Sequence, residues 1–254
     1  MNEMEELAGK TYGPYPLRVC REKVAEFVAA TGDNPNRWTE NAPPGWAAAA
    51  LFAVAPSLLS DPAIADRSVI HGEQRFEWSG PIALEEDLSV TGTVTRMRER
   101  GGVWFAGFDM EAGPVRGTST FLISGTRPAG SDVAEESERG PDEKEAGEFS
   151  ASRSDLIRYA AATRDWNPIH WDHQSAVKAG LGGIVVHGLL QAAWIIRSLV
   201  GENHRSLAEA RIRFRSPLLV GESARLSVGD RDGQVSASLN RGDQELVAAS
   251  LTLA

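Results

Sequence analysis

Apolar positions along the chain fall into helical and strand-like blocks, and the same order of blocks occurs twice. In the second half, Ser154 is placed to cap a helix running through Leu156, Ile157, Tyr159 and Ala160, which ends where Asn167-Pro168 disfavours continuation. Asp172 caps a short helix through Ala176 and Val177 that stops at Gly180. After the turn Gly182-Gly183, residues Gly188 to Val200 are apolar on nearly every side, as a helix wrapped by a sheet should be, and Gly201 ends that helix. Alternation from Arg211 to Arg215, with turn signals at Asp232-Gly233 and Arg241-Gly242-Asp243, fits four antiparallel strands. The first half repeats this at Gln74 to Trp78, Leu88 to Arg98, Val103 to Glu111 and Val115 to Ile123, with turns at Gly101-Gly102 and Gly113-Pro114.

The repeat also shows in the residues. Arg75-Phe76-Glu77-Trp78 before Pro81-Ile82 matches Arg211-Ile212-Arg213-Phe214 before Pro217-Leu218, and nine residues past each proline stand Val90 and Leu226. An apolar helix enclosed by an antiparallel sheet, occurring twice, predicts an α+β chain of two tandem hot-dog units, a double hot-dog. Between the halves, Pro128 to Gly147 is polar and nearly free of large apolar residues, so it cannot repay the entropy of ordering. The expected division is therefore residues 1–128, a disordered acidic linker over 129–148, and residues 149–254.

Composition narrows the function. With 254 residues, 42% hydrophobic and 24% charged, the chain can bury a large core. The apolar run from Trp46 to Leu59 is too short to span a bilayer and is broken by Pro56 and Ser57, so no membrane partner is expected. The acidic start Met-Asn-Glu-Met-Glu-Glu lacks the features of a signal peptide, and a single cysteine, Cys20, permits no internal disulfide; both point to the cytoplasm. Net charge is −9, of which Asp132 to Glu148 carries −6, leaving no basic surplus for nucleic acid.

The candidate chemistry lies in Asp165-Trp166-Asn167-Pro168-Ile169-His170. On a continuous helix Asp165 and His170 would point about 140° apart, and the break at Pro168 is what lets them converge. A carboxylate beside an imidazole can hold and deprotonate a water. The same residues are also ordinary turn chemistry at a helix end, with His170 a surface histidine. The choice is affected by Gly188, which opens the central helix after His187; a helix start offers unpaired N–H groups to an oxyanion.

Asp165-x-Asn167-Pro168-x-His170, then Ala176, Gly180 and Ile184-x-x-His187-Gly188, resembles the signature of the MaoC-like R-specific enoyl-CoA hydratases and (3R)-hydroxyacyl thioester dehydratases, a hot-dog family. Val69 to Ser124, with His71-Gly72-Glu73 and Pro81, resembles the non-catalytic partner half of double hot-dog members. Arg164 departs from the glycine usual before the aspartate. The resemblance implies that Asp165 and His170 bind the water added across a trans-2-enoyl thioester, that Asn167 steadies the loop, and that the Gly188 N–H polarises the thioester carbonyl. It implies no cofactor, and an acyl-CoA or acyl carrier protein (ACP) thioester as substrate. Pairing into a homodimer is expected by analogy of fold.

The first half carries an altered copy of the motif, Asp33-Asn34-Pro35-Asn36-Arg37-Trp38, with tryptophan where the histidine would stand. One active site per chain is expected, with the first half shaping the acyl pocket through Trp46 and Phe52. His187, Arg197 and Arg211 are weaker substrate-binding candidates; His187 reads more readily as structural, and both arginines as solvated surface charge. His170-x-x-His173 with Asp172 lacks the further ligands of a zinc site, so no metal is expected. Gly180-x-Gly182-Gly183 is a turn, no Gly-x-Ser-x-Gly element is present, and Cys20 reads as a buried filler. The rival readings are a hot-dog thioesterase and a non-catalytic acyl-thioester binding or regulatory module.

Overall fold

Each half of the chain lays down an edge strand, then helices, then the strands of a sheet. In the computed structural model, residues 3–125, 144–200, 206–231 and 234–254 are described. The first half contains β1 (Thr11–Arg18), α1 (Arg21–Thr31), β2 (Asn41–Ala42), α2 (Ala47–Leu59), β3 (Ser68–Trp78), β4 (Ile82–Ala83), β5 (Asp87–Arg100), β6 (Val103–Ala112) and β7 (Val115–Ser124). The second contains β8 (Lys144–Ser150), α3 (Arg153–Thr163), α4 (His173–Lys178), α5 (Gly188–Val200), β9 (Leu207–Phe214), β10 (Ser223–Arg231), β11 (Gln234–Arg241) and β12 (Gln244–Leu253). Among the described residues ten strands form one sheet in the order β1-β5-β6-β7-β3-β9-β12-β11-β10-β8, while β2 and β4 pair separately. This is the expected double hot-dog, with α2 lying on β5 and β6 and α5 on β9, β11 and β12.

The halves join where β3 and β9 run antiparallel, and the register places Arg75 directly opposite Arg211, the matched positions of the sequence repeat. Gln74, Phe76, Ala210 and Ile212 are buried at this junction, so a one-residue slip would expose the core face; burial therefore pins the register. The exposed face carries an ion-pair ladder, with Arg211 Nε 2.6 Å from Glu73 and Arg75 Nε 2.8 Å from Glu209. Such exposed pairs each contribute at most about 1 kcal/mol. A second tie is reciprocal: Arg197 Nη1 donates to the Thr31 carbonyl at the end of α1, and Arg37 Nη2 donates to the Val200 carbonyl at the end of α5. Each guanidinium satisfies a carbonyl that a helix end leaves without an internal partner.

Three expectations need correction. The cap of α3 is Ser152, not Ser154: its hydroxyl accepts from the Asp155 N–H while Asp155 Oδ2 accepts from the Ser152 N–H. The predicted linker overlaps a strand, because β8 pairs with β10 from Lys144 onward; residues 126–143 lie outside the described residues. Charged residues suit an edge strand, which is why the pattern of β8 resembles a linker. The pattern also missed β1, whose Pro14 and Pro16 are tolerated at the opposite edge of the sheet. Among the described residues no helix is long and apolar enough to cross a membrane.

Candidate active site

The end of α3 sets the site. Arg164 closes that helix in the left-handed conformation, φ +69°, a position that favours glycine. The chain then turns Asp165 inward, where it is 7% exposed. Asn167 caps a 3-10 turn, Pro168–His170, by accepting from the Ile169 N–H at 3.3 Å, while its own N–H points at Asp165 Oδ1 at 3.4 Å. This turn replaces the helical path that would have kept the two side chains apart. It leaves His170 Nε2 4.0 Å from Asp165 Oδ2, with both residues buried.

Two backbone carbonyls orient the imidazoles. His170 Nδ1 lies 2.9 Å from the Val185 carbonyl oxygen, which can only accept, so Nδ1 carries the proton and the Nε2 lone pair faces Asp165. His187 Nε2 donates to the Asp165 carbonyl at 3.2 Å, and its ring stacks on that of His170. Burial, with the neighbouring His170 adding to it, holds the His187 pKa well below the ordinary histidine value. Burial pushes the Asp165 carboxyl up, opposed by the neighbouring His170 and by the Asn167 N–H. Tyr159 of α3 packs on His187 with ring centroids 4.9 Å apart.

The start of α5 completes the arrangement. Leu190 and Gln191 bond back to the His187 carbonyl, and the N–H groups of Gly188 and Leu189 precede the first helical acceptors. A Cβ at Gly188 would stand 2.9 Å from the Phe214 ring, so glycine is what lets the helix start pass under β9. Asp165, His170 and His187 offer ligand atoms within 4.8 Å of one another. The two imidazole planes are only 24° apart with centroids 3.8 Å apart, whereas a zinc ion needs to lie in the plane of each ligating ring at about 2.0–2.1 Å. The set does not fit a metal.

The structure brings together Asp165, Asn167, His170, His187 and Gly188. His187 is fully buried and lies behind the His170 ring. Arg197 is held by the Thr31 carbonyl and by the Phe149 ring at 5.1 Å, and Arg211 is on the exposed face of the sheet, paired with Glu73. Trp46 is a buried core residue just before α2, and Phe52 a half-buried one on α2. Sequence reasoning missed the Val185 carbonyl, which carries no side-chain signal, and placed Tyr159 only on a helix.

In the first half Asp33 is already occupied. Trp38 Nε1 donates to Asp33 Oδ2 at 2.9 Å and Arg37 lies 3.4 Å from Asp33 Oδ1. The indole that replaces the histidine is a donor only, so this copy lacks the acceptor nitrogen that an imidazole would supply.

A model of the MaoC-like domain matches residues 134–247. The UPF0336 protein SCO4636 of Streptomyces coelicolor is 31% identical over 113 residues, covering 39% of this chain and 75% of that protein. The chain belongs to the MaoC-like dehydratase family. Within the family it is 25% identical over 240 residues to the 3-hydroxyacyl-thioester dehydratase X of Mycobacterium tuberculosis, covering 90% of this chain and 83% of that one. A solved MaoC-like dehydratase superposes with a TM-score of 0.81 at 20% identity, covering 98% of this chain and 99% of that chain, and so shares the fold. Against the MaoC-like signature Arg164 is the departure, and its positive φ explains why glycine is usual there.

Proposed function

We propose that the chain is a cofactor-independent hydro-lyase that interconverts trans-2-enoyl and (3R)-3-hydroxyacyl thioesters. The observation that carries this reading is the 4.0 Å separation of Asp165 Oδ2 and His170 Nε2. Two acceptors so spaced can share one water at about 2.8 Å from each, holding both of its hydrogens. His170 Nε2 then takes one proton as the water oxygen bonds to C3, and the electron pair of the double bond moves toward the thioester oxygen. The N–H groups at the start of α5 stabilise that enolate charge. The proton on His170 returns to C2 from the same face, so addition is syn and His170 is regenerated. Asp165 holds the second O–H throughout; dehydration is the reverse. Asn167 fixes the turn that carries both groups.

The dehydratase named among the relatives acts, by its name, on 3-hydroxyacyl thioesters, which supports the same substrate class here. The carrier is coenzyme A or acyl carrier protein, both of which present a phosphopantetheine thioester. The first half is the non-catalytic partner, a reading supported by the occupied Asp33 carboxylate. A cytoplasmic, homodimeric enzyme belongs to the same proposal, the former supported by the single Cys20 and the latter by fold analogy alone.

The test is to mix the purified protein with crotonyl-CoA and follow the enoyl-thioester absorbance together with free thiol. Loss of absorbance without thiol release supports the hydro-lyase. Thiol release indicates a thioesterase, and no change in either signal on crotonyl-CoA, a medium-chain enoyl-CoA and enoyl-ACP indicates a binding module.

A further inference from the structure

Among the described residues the reaction above leaves one half-buried imidazole unused, His71 of β3. In the pairing of β3 with β7, His71 stands opposite Phe121 and Glu73 opposite Thr120, so Gly72 is bulged out of the ladder. Strict alternation from the inward Gln74 would turn Gly72 and Ile70 inward and His71 outward. The bulge reverses this and aims His71 at the inner face. Bulges that re-aim a side chain occur preferentially beside active sites. A Cβ at Gly72 would stand 2.4 Å from the Leu122 side-chain tip, which would have to move aside.

The direction of that ring is informative. Its centroid lies 4.9 Å from that of Phe121 and 5.0 Å from that of Phe214, the same Phe214 that covers Gly188. His71 thus reaches from the first half to within one side chain of the α5 start. Although the residue keeps some exposed surface, Nε2 is enclosed and has no hydrogen-bond partner among the described residues. Burial lowers the His71 pKa to about 4, so the ring is neutral at pH 7. Hydrogen bonds with the Gln74 side chain and the Glu73 backbone oppose that shift without reversing it, and a neutral imidazole keeps one ring nitrogen as an acceptor.

We propose that His71 is a substrate-binding residue supplied by the first half, whose Nε2 accepts a hydrogen bond from the pantetheine amide N–H nearest the thioester sulfur. The inference rests on the enoyl-thioester reading above. In such a substrate the carbonyl oxygen is held at the start of α5 and the reacting carbons at Asp165 and His170. The first remaining hydrogen-bond donor is the amide N–H two carbons beyond the sulfur, and both carriers present it. An otherwise unpaired acceptor near the α5 start matches that donor.

The experiment compares two crotonyl thioesters, one of N-acetylcysteamine and one of the isosteric alkane thiol in which CH2 replaces the amide N–H. Wild type, His71→Leu and His71→Gln are assayed on both, with melting temperature as the folding control. His71→Leu is expected to lower kcat/KM about tenfold on the amide substrate, the size of one hydrogen bond, and to change it less than twofold on the amide-free analogue. His71→Gln, which restores an acceptor, is expected to recover part of the loss. Equal losses on both substrates, or none on either, overturn the assignment while the hydratase reading stands. A wild type inactive on both substrates and on crotonyl-CoA removes that reading, and the inference with it.

Discussion

The imidazoles of His170 and His187 lie face to face with centroids 3.8 Å apart, and only one of them faces the carboxyl group of Asp165. His187 works from behind: it backs the His170 ring and donates to the Asp165 carbonyl, so one side chain touches both members of the proposed catalytic pair. His187→Ala is expected to lower kcat by about 10², the cost of a small misplacement of reacting groups. His187→Phe, which keeps a ring in the stack, should lose less. Steady-state kinetics check this, and an unchanged kcat for His187→Ala shows that the stack does not position the site.

Acid should weaken the fold through two histidines. Burial depresses the pKa of His71, to about 4, and of His187, so each binds a proton more readily unfolded than folded. Their contribution to stability is complete above the ordinary value of 6.5 and is lost as pH falls below it toward the folded values. Asp165, with a raised pKa, acts in the opposite sense, its stabilising share fading as pH rises above 3.8. The melting temperature is therefore expected to fall between pH 7 and pH 5, with a shallower slope for His71→Leu. Equal slopes for wild type and variant contradict the assigned burial of His71.

Arg164 holds a backbone conformation that costs a side-chain-bearing residue about 1 kcal/mol. Arg164→Gly should therefore raise stability by about 0.5–1 kcal/mol, read as a higher urea midpoint, with kcat within twofold of wild type. A lower midpoint would mean that the arginine side chain makes a stabilising contribution larger than the strain.

The first-half copy gives the complementary case. Asp33→Ala leaves the Trp38 indole N–H without its acceptor and Arg37 with the Val200 carbonyl alone, which costs about 1–2 kcal/mol. Because that carboxylate is already occupied by these two donors, kcat should be retained once the folded fraction is matched. A hundredfold loss of kcat in folded protein would place Asp33 in the chemistry and contradict a non-catalytic first half.

Much of this architecture was legible in the residues because its signals are local. Gly188 to Val200 is apolar all round and is the α5 helix with those bounds, and Asp172 caps α4 as its position implied. The matched Arg75 and Arg211 of the repeat proved to be partners across the junction, so the sequence symmetry marks the place where the halves meet. The turn at Pro168 likewise brings Asp165 and His170 together as the broken helix implied. The edge strands β1 and β8 were hidden because prolines and charges, which exclude a central strand, are permitted at an edge. The partners of Arg197, Arg211 and His187 were hidden for another reason: each is distant in sequence, namely Thr31, Glu73 and the Asp165 carbonyl.

The central claim is that Asp165 and His170 together activate the water. The most direct measurement is the rate of enoyl-thioester absorbance loss with saturating crotonyl-CoA for wild type, Asp165→Asn and His170→Ala, each shown to be folded by its melting transition. The account predicts that each substitution lowers kcat by 10² or more, on the scale of acid-base groups. Wild-type rates in either variant would contradict it.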